Sequence, residues 1–275
     1  MLAFVLKKPR EFVLAHPEIR LSWWQKFRFI RLLKKRQRGI PLAYLLGHKE
    51  FFGLDFLVNK NTLIPRPETE IMVEAVLEII KNANHNVVLI DVGTGSGCIP
   101  ISIIKNAQKK IRVITTDISS SALRIAQKNA SQNNVDITFL HGNLLEPIYG
   151  VYPELSRGKS ILPSMDLPES FVIITANLPY LRAEQFKKEP TIQYEPRLAL
   201  VANNNGLGLY EKLLEQIKQH LTSVKIKNQI QIFLEIDPAQ KDAIKKIIQA
   251  YFSTALIEIK TDLAEQDRLV VITLV

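Results

Sequence analysis

The sequence predicts an α/β protein: a seven-stranded, mostly parallel sheet with helices on both faces, preceded by a small helical domain. Three observations lead there. From residue 87 onward, apolar strand-like runs alternate with helical segments, the pattern of a parallel sheet built from βα units. The first run ends in Asp91-Val-Gly-Thr-Gly-Ser-Gly97 and opens straight into a helix, with Pro100 in the first turn where its missing N–H is harmless. The last two runs, 255–260 and 269–274, are joined by too few residues for a crossover helix, so they should pair antiparallel at the end of the sheet.

The composition is ordinary for a globular chain: 275 residues, 47% hydrophobic and 23% charged, enough for one large domain and a small appendage. A formal charge of +9 and a pI near 9.5 favour RNA, ribosomes or acidic surfaces, though without specificity. The single cysteine, Cys98, excludes an internal disulfide framework and fits a reducing compartment. The apolar run from Met1 to Leu6 is too short for a signal peptide, and no 18-residue apolar span occurs, so a cytoplasmic protein without a membrane partner is expected. The histidines, at 16, 48, 85, 141 and 220, are scattered, and no metal site is predicted.

In chain order, residues 1–46 form the helical domain, with the helical reading covering 10–46. Ser22 and Gln25 make a capping box, after which Trp23, Phe27, Ile30 and Leu33 recur at helical spacing, leaving Arg28, Arg31, Lys35 and Arg38 on another face. That basic face reads as a solvated surface or as a docking surface for RNA or a ribosome-bound partner. Residues 47–62 form a linker in which Glu50-Phe-Phe-Gly-Leu-Asp-Phe-Leu-Val58 alternates around a glycine, as a short hairpin does. The sheet domain spans 63–275 and begins with a proline-stiffened loop, Leu63-Ile-Pro-Arg-Pro-Glu-Thr-Glu70, that enters a helix. Strands are expected at 87–91, 111–116, 137–140, 171–175 and 229–236, with helices near 98–109, 120–133, 207–222 and 238–252. Residues 146–170 carry four prolines and no period, so they read as a long loop or insertion.

Two stretches carry chemistry. In the first, glycines let the backbone approach a ligand and the helix N-terminus supplies donors, while Asp117 closes the second strand where a carboxylate can accept both hydroxyls of a ribose. Its third glycine comes one residue earlier than a pyrophosphate fingerprint wants, which favours a nucleoside over a dinucleotide. The second stretch, Asn177-Leu-Pro-Tyr180, follows the strand at 171–175. The Asn177 side-chain oxygen and the carbonyl of Leu178 offer two acceptors to an NH2 group, Pro179 stiffens the backbone, and Tyr180 offers a ring to a flat substrate. Alone, the same four residues also read as an ordinary turn.

Together these stretches carry a resemblance. Asp-x-Gly-x-Gly-x-Gly followed by a strand-end Asp is similar to the S-adenosylmethionine site of class I methyltransferases, and Asn-Leu-Pro-Tyr resembles the amino-methylating motif Asn-Pro-Pro-Tyr. More specifically, Pro41-Leu-Ala-Tyr-Leu-Leu-Gly47, Glu50-Phe-Phe-Gly53, Leu63 to Glu70, Tyr194-Glu-Pro-Arg-Leu-Ala-Leu200 and Asp262-Leu-Ala-Glu-Gln-Asp-Arg268 resemble the PrmC/HemK family. The likeness runs from about residue 10 to the C-terminus. It implies a Rossmann-like methyltransferase sheet, a helical substrate-docking domain, and methylation of the side-chain amide nitrogen of the glutamine in the Gly-Gly-Gln motif of peptide chain release factors. The implied cofactor is S-adenosyl-L-methionine, held by Asp91, Gly93, Thr94, Gly95, Ser96, Gly97, Asp117, Asn143, Leu144 and Asn177. The implied catalytic residues are Asn177, Leu178, Pro179 and Tyr180, with Pro65, Arg66, Pro67, Glu68, Asn177 and Tyr180 binding substrate. Class 1 release factors, free or on the ribosome, are the implied partners, and no sequence-specific nucleic-acid binding is expected.

The chain departs from the family in three ways. Leu178 replaces the first proline of the motif, and Asn143 stands where an Asp commonly meets the adenine amino group but keeps an acceptor in its amide oxygen. The N-terminal domain is also shorter than usual and 146–170 longer. Asn-Leu-Pro-Tyr is similar as well to the motif of ribosomal RNA adenine dimethyltransferases, which makes N6-adenine methylation of ribosomal RNA the alternative. Those enzymes carry a helical domain after the sheet, whereas this chain ends after the hairpin strands. An inactive methyltransferase-like binding protein would be expected to lack Asn177 or Asp117, and both are present.

Overall fold

The computed structural model describes residues 1–148, 171–223 and 229–274. Most of the insertion expected at 146–170 therefore lies outside the described residues. Four helices open the chain: α1 (Leu2–Leu6), α2 (Arg10–Ala15), α3 (Trp23–Gln37) and α4 (Leu42–Leu46). The first of them lies ahead of the helical stretch read from the sequence. The Ser22–Gln25 capping box forms, with Gln25 N donating to Ser22 Oγ at 3.3 Å and Ser22 N to Gln25 Oε1 at 2.9 Å. Contrary to what amphipathic spacing suggests, the apolar stripe of α3 does not enter a core. Trp23 is 68% and Phe27 56% exposed, their rings stack on one another, and no residue of the helix is buried.

The hairpin forms as β1 (His48–Phe51) and β2 (Leu54–Leu57), and turns through Phe52 and Gly53, both at positive φ. Its two inward rings, Phe51 and Phe56, are fully buried in the core under α5 (Glu70–Asn82) rather than bridging over solvent. The hairpin is locked there by a residue the sequence did not single out. Asn129, on α7 (Ser120–Gln132), accepts from Leu57 N at 2.8 Å and donates to the carbonyls of Leu57 at 3.0 Å and Ser96 at 2.8 Å.

The sheet has seven strands among the described residues: β3 (Val87–Val92), β4 (Arg112–Asp117), β5 (Thr138–His141), β6 (Phe171–Ala176), β7 (Ile230–Glu235), β8 (Leu256–Thr261) and β9 (Asp267–Leu274). Their order is β5-β4-β3-β6-β7-β9-β8, parallel throughout β5 to β7, with β9 antiparallel to both its neighbours. The terminal antiparallel pair is thus where the short connection placed it. The strand interiors are apolar on both faces because helices cover both. On one face Tyr210, Leu213 and Ile217 of α9 (Gly208–Ser223) and Ile244 and Ile248 of α10 (Lys241–Tyr251) pack on Ile90, Ile174 and Ile232. The hairpin, α5 and α6 (Cys98–Asn106) cover the other face with Met72, Val76, Ile101 and Ile103 against Leu89 and Ile173. A short helix, α8 (Ala183–Lys188), follows β6 and was not legible in the sequence. Among the described residues no helix is long and apolar enough to cross a membrane.

The β3–β6 ladder pairs Asp91 with Thr175, and the Thr175 hydroxyl donates to Asp91 Oδ1 at 2.7 Å. Asp91 Oδ2 has no partner, and burial pushes this carboxyl up to about 6.

Two outcomes follow from this packing. Asn129→Ala removes three hydrogen bonds to backbone groups, one fully buried and two partly buried, and is expected to lower the stability of the ligand-free protein by about 2 to 4 kcal/mol, read as a fall in the urea midpoint at unchanged slope. For Asp91, the folded carboxyl titrates near 6 and the unfolded one near 3.9, so the folded state holds the extra proton in between. Its contribution to stability therefore declines as pH rises from about 4 to about 6 and is level above. Asp91→Asn should remove that slope, gaining on the wild type by at most about 3 kcal/mol across the window.

Candidate functional site

Strand order reverses between β3 and β6: the chain moves one way from β3 to β4 and β5, and the other way through β6 to β7. A crevice opens at the carboxyl ends of strands at such a point. Here it is bounded by the glycine loop after β3, Asp117 at the end of β4, Asn143 and Leu144 after β5, and Asn177 to Pro179 after β6.

The glycine loop has a close neighbour on each side. A Cβ on Gly93 would lie 3.0 Å from Leu178 Cδ2, so the loop passes directly under the Leu178 side chain. At Gly97, φ 80°, an added Cβ would lie only 3.2 Å from the Ala126 Cβ of α7, so both the positive φ and the close packing favour glycine where the loop turns into α6. Asp117 ties the loop to β4: its Oδ2 accepts from Gly95 N and its Oδ1 from Ser119 N, both at 2.8 Å. Burial raises its pKa, and these two bonds oppose the rise. Each oxygen keeps a lone pair for a ligand hydroxyl.

Asn143 lines the same cleft, and its Nδ2 donates to Glu146 Oε1 at 3.1 Å. Glu146 Oε1 also accepts from Lys212 Nζ at 3.0 Å and Gln216 Nε2 at 3.3 Å, so it stands among donors as an acceptor. The Asn143 amide is thereby turned with Oδ1 as its free acceptor. Opposite, Asn177 Nδ2 donates to the hydroxyl of buried Thr69 at 3.1 Å, and among the described residues no donor reaches Asn177 Oδ1. The Leu178 carbonyl accepts from the fully buried Tyr210 hydroxyl at 3.3 Å, and the Glu235 carbonyl lies against that same hydroxyl. The Leu178 side chain, 3% exposed, is itself part of the wall.

The mouth is made by two segments far apart in sequence. Arg66 Nη2 pairs with Glu195 Oε1 at 2.5 Å, and Glu195 Oε2 accepts from Ile64 N at 3.0 Å. Glu195 is buried, so this clamp holds Pro65 and Arg66 against Pro196 and Leu198 across the cleft. The helical region is tied on beside it, the Tyr194 hydroxyl donating to the Arg38 carbonyl and the Tyr44 hydroxyl to that of Thr62.

Most residues singled out from the sequence therefore meet in one cleft: Gly93, Thr94, Gly95, Ser96, Asp117, Asn143, Leu144, Asn177, Leu178, Pro179, Pro65 and Arg66. Five stand off its surface. Asp91 lies beneath the loop and Gly97 inside the turn into α6, while Pro67 and Glu68 belong to the 3-10 turn Pro67–Thr69 behind the wall. Tyr180 turns away, its hydroxyl donating to Glu235 Oε1 at 3.2 Å and its pKa pushed up by burial and by that carboxylate. Thr69, Glu195 and Glu235 were missed as site residues. Thr69 and Glu195 sit inside the two motif stretches quoted above, and Glu235 ends β7 as Asp117 ends β4, which was the available signal. Among the described residues no cluster of His, Cys, Asp and Glu could hold a metal ion.

Comparison with known proteins agrees with this geometry. Residues 1–47 match the PrmC N-terminal domain and residues 67–152 the methyltransferase small domain. Release factor glutamine methyltransferases are similar over nearly the whole chain: that of Bacillus anthracis is 32% identical over 98% of this chain and 89% of its own length. The one from Flavobacterium psychrophilum is 36% identical over 92% and 82%. Solved structures share the fold at lower identity. A methyltransferase from Pyrococcus furiosus superposes with a TM-score of 0.50 at 16% identity, covering 87% of this chain and 97% of that one. The N-terminal domain of human METTL16 in complex with SAH gives 0.52 at 15%, covering 88% and 83%. With identity above three in ten sustained along almost all of both chains, this protein belongs to the release factor glutamine methyltransferase family.

Proposed function

We propose that this chain transfers a methyl group from S-adenosyl-L-methionine to the side-chain amide nitrogen of the glutamine in the Gly-Gly-Gln motif of class 1 peptide chain release factors. The observation that carries the reading is the free acceptor Asn177 Oδ1, held on the cleft wall beside the glycine loop. The residues present fit the cofactor. Asp117 suits ribose hydroxyls, Asn143 Oδ1 suits an adenine amino group, and the buried Thr94 hydroxyl has no partner of its own. The cofactor supplies, when bound, an electrophilic methyl on a sulfonium.

An amide nitrogen is a poor nucleophile because its lone pair is delocalised into the carbonyl, so the protein's part is positioning and electrostatic help. Asn177 Oδ1 and the second lone pair of the Leu178 carbonyl each accept one N–H of the substrate amide. That directs the nitrogen lone pair along the cleft and stabilises positive charge building on nitrogen. No base is needed before transfer, since the proton can leave afterwards. Pro65, Pro196 and Leu198 exclude water from the mouth, and Arg66 holds that wall through Glu195. Within this reading, residues 1–46 dock the factor, 47–62 link, and 63–275 carry out the transfer; the work is done in the cytoplasm, on free or ribosome-bound factor.

The decisive experiment is mass spectrometry of a release factor incubated with this protein and S-adenosylmethionine, beside small-subunit ribosomal RNA treated alike. One added methyl on the Gly-Gly-Gln glutamine is expected; methyl on RNA adenine with none on protein would reverse the reading. Asn177→Ala should lower turnover by on the order of 100-fold with little change in cofactor affinity. Asp117→Ala should do the converse, weakening cofactor binding by roughly 1 to 3 kcal/mol in calorimetry.

A further inference from the structure

The formal charge of the chain is not spread over it. Residues 1–47 hold eleven of the 36 lysines and arginines and two of the 27 aspartates and glutamates, a net +9. The remainder holds twenty-five of each and is neutral, so the helical region alone carries the whole excess. All eleven of its cations are exposed. Among the described residues none of them has a carboxylate partner, and the one ion pair of the region joins His16 to Glu18. Like charges gathered this densely repel one another unless an anion offsets them.

The face that concentrates this charge belongs to α3. Trp23 and Trp24, the two tryptophans of the chain, are 68% and 71% exposed, and Phe27 is 56% exposed. Gln25, Phe29 and Leu32 are partly buried and mark the side turned inward. At a helical step of about 100° per residue, Lys34 falls between Trp23 and Phe27 on the outward side, and Arg31 between Phe27 and Trp24. Rings and cations therefore alternate across one face that runs the length of the helix, about 22 Å. Trp23 stacks on Phe27 with 14° between the ring planes and stands edge-on to Trp24, and most of both indoles stays open to solvent. The side chains of Arg31, Lys34 and Lys35 make no hydrogen bond among the described residues.

A protein partner and a nucleic acid make different demands on such a face. The centre of a protein interface draws aromatic groups but is depleted in lysine, and charge is left to the rim. Here a lysine lies between two of the rings. A single-stranded nucleic acid uses that alternation, because its bases stack on the rings while cations between them follow the phosphates. We propose that the outward face of α3 binds single-stranded RNA without sequence preference, stacking bases on Trp23, Trp24 and Phe27 and meeting phosphates with Arg31, Lys34 and Lys35. The RNA is a ligand of the helical region and not the methyl acceptor. The choice of RNA over DNA rests on the functional reading above, which puts the work on free or ribosome-bound factor; the stacking and the phosphate contacts are properties of this chain alone.

The test uses the full chain and an unstructured RNA of about 12 nucleotides. Because both tryptophans of the chain lie on this face, their fluorescence reads it directly. RNA is expected to quench it with a dissociation constant on the order of 10 µM, and inorganic polyphosphate, which has the charge but no bases, is expected not to. Between about 50 and 200 mM salt, log affinity should fall against log salt with a slope near −3, for about four phosphates at roughly 0.7 each. Combining Arg31→Gln, Lys34→Gln and Lys35→Gln should make that slope shallower by about 2. Trp23→Ala, followed by the anisotropy of labelled RNA, should weaken binding by roughly 5- to 50-fold at unchanged slope. DNA of the same sequence is expected to bind no tighter than RNA, and tighter binding of DNA overturns the choice of RNA. Absence of quenching by RNA, equal quenching by polyphosphate, or variants that weaken binding of release factor and leave RNA affinity unchanged overturns the proposal, the last by giving the face to a protein. Failure of the wild type to methylate release factor, with RNA still bound, would count against the functional reading only.

Discussion

The parallel ladder between β3 and β6 is the constraint on which the rest of this site depends. Its register sets Asp91 beside Thr175 and Val92 beside Ala176, so the residues that follow each strand, Gly93 and Asn177, emerge side by side although 84 positions separate the paired Asp91 and Thr175. A slip in this register would carry Leu178 off Gly93 and shift the acceptors of Asn177 and Leu178 relative to the loop. The bond from Thr175 to Asp91 is a buried polar pin at that point, and it is kept even though it strands the second carboxylate oxygen. A group that costs stability in the ligand-free protein is tolerated where strands must align for function.

Above the ladder, polar side chains are arranged in layers. Asp117 binds two backbone N–H groups before it can meet a ligand, Glu146 binds Asn143, and Asn129 stitches the carbonyl of Ser96 to the hairpin. Asn143 and Ser96 are thus each held by a residue that stands outside the cleft, Glu146 and Asn129. Buried polar groups with this degree of satisfaction stiffen a site, because moving any member unpairs another.

The mouth of the cleft follows a different rule, with one ion pair joining two loops that have little regular structure. Glu195 is buried against both Arg66 and the Ile64 amide, which makes the pair costly to break from either side. The prolines around it, Pro65, Pro67 and Pro196, limit what the loops could do if released. The Arg66 guanidinium, read from sequence as a substrate contact, is first of all the structural half of this clamp.

The order of elements and the main chemistry can be read from the residues alone. Strands buried on both faces must be apolar throughout, and helices between them must repeat near 3.6, so the βα order, the terminal antiparallel pair and the hairpin were all legible. The glycine loop, Asp117 and Asn177 were legible because strand ends in such sheets are where ligands bind. Tertiary structure alone decided which side of each residue is used. Periodicity places Trp23 and Phe27 on one face of α3 but does not say whether anything covers it, and nothing does among the described residues. Spacing put Tyr180 next to Asn177, yet the pull of a buried carboxylate on β7 turned its hydroxyl away from the cleft. Thr69 is separated from Asn177 by 108 positions, Glu235 from Tyr180 by 55, and Glu195 from Arg66 by 129. Contacts across such distances depend on how helices and loops close over the sheet, a matter of packing and hydrogen-bond satisfaction that no local pattern encodes.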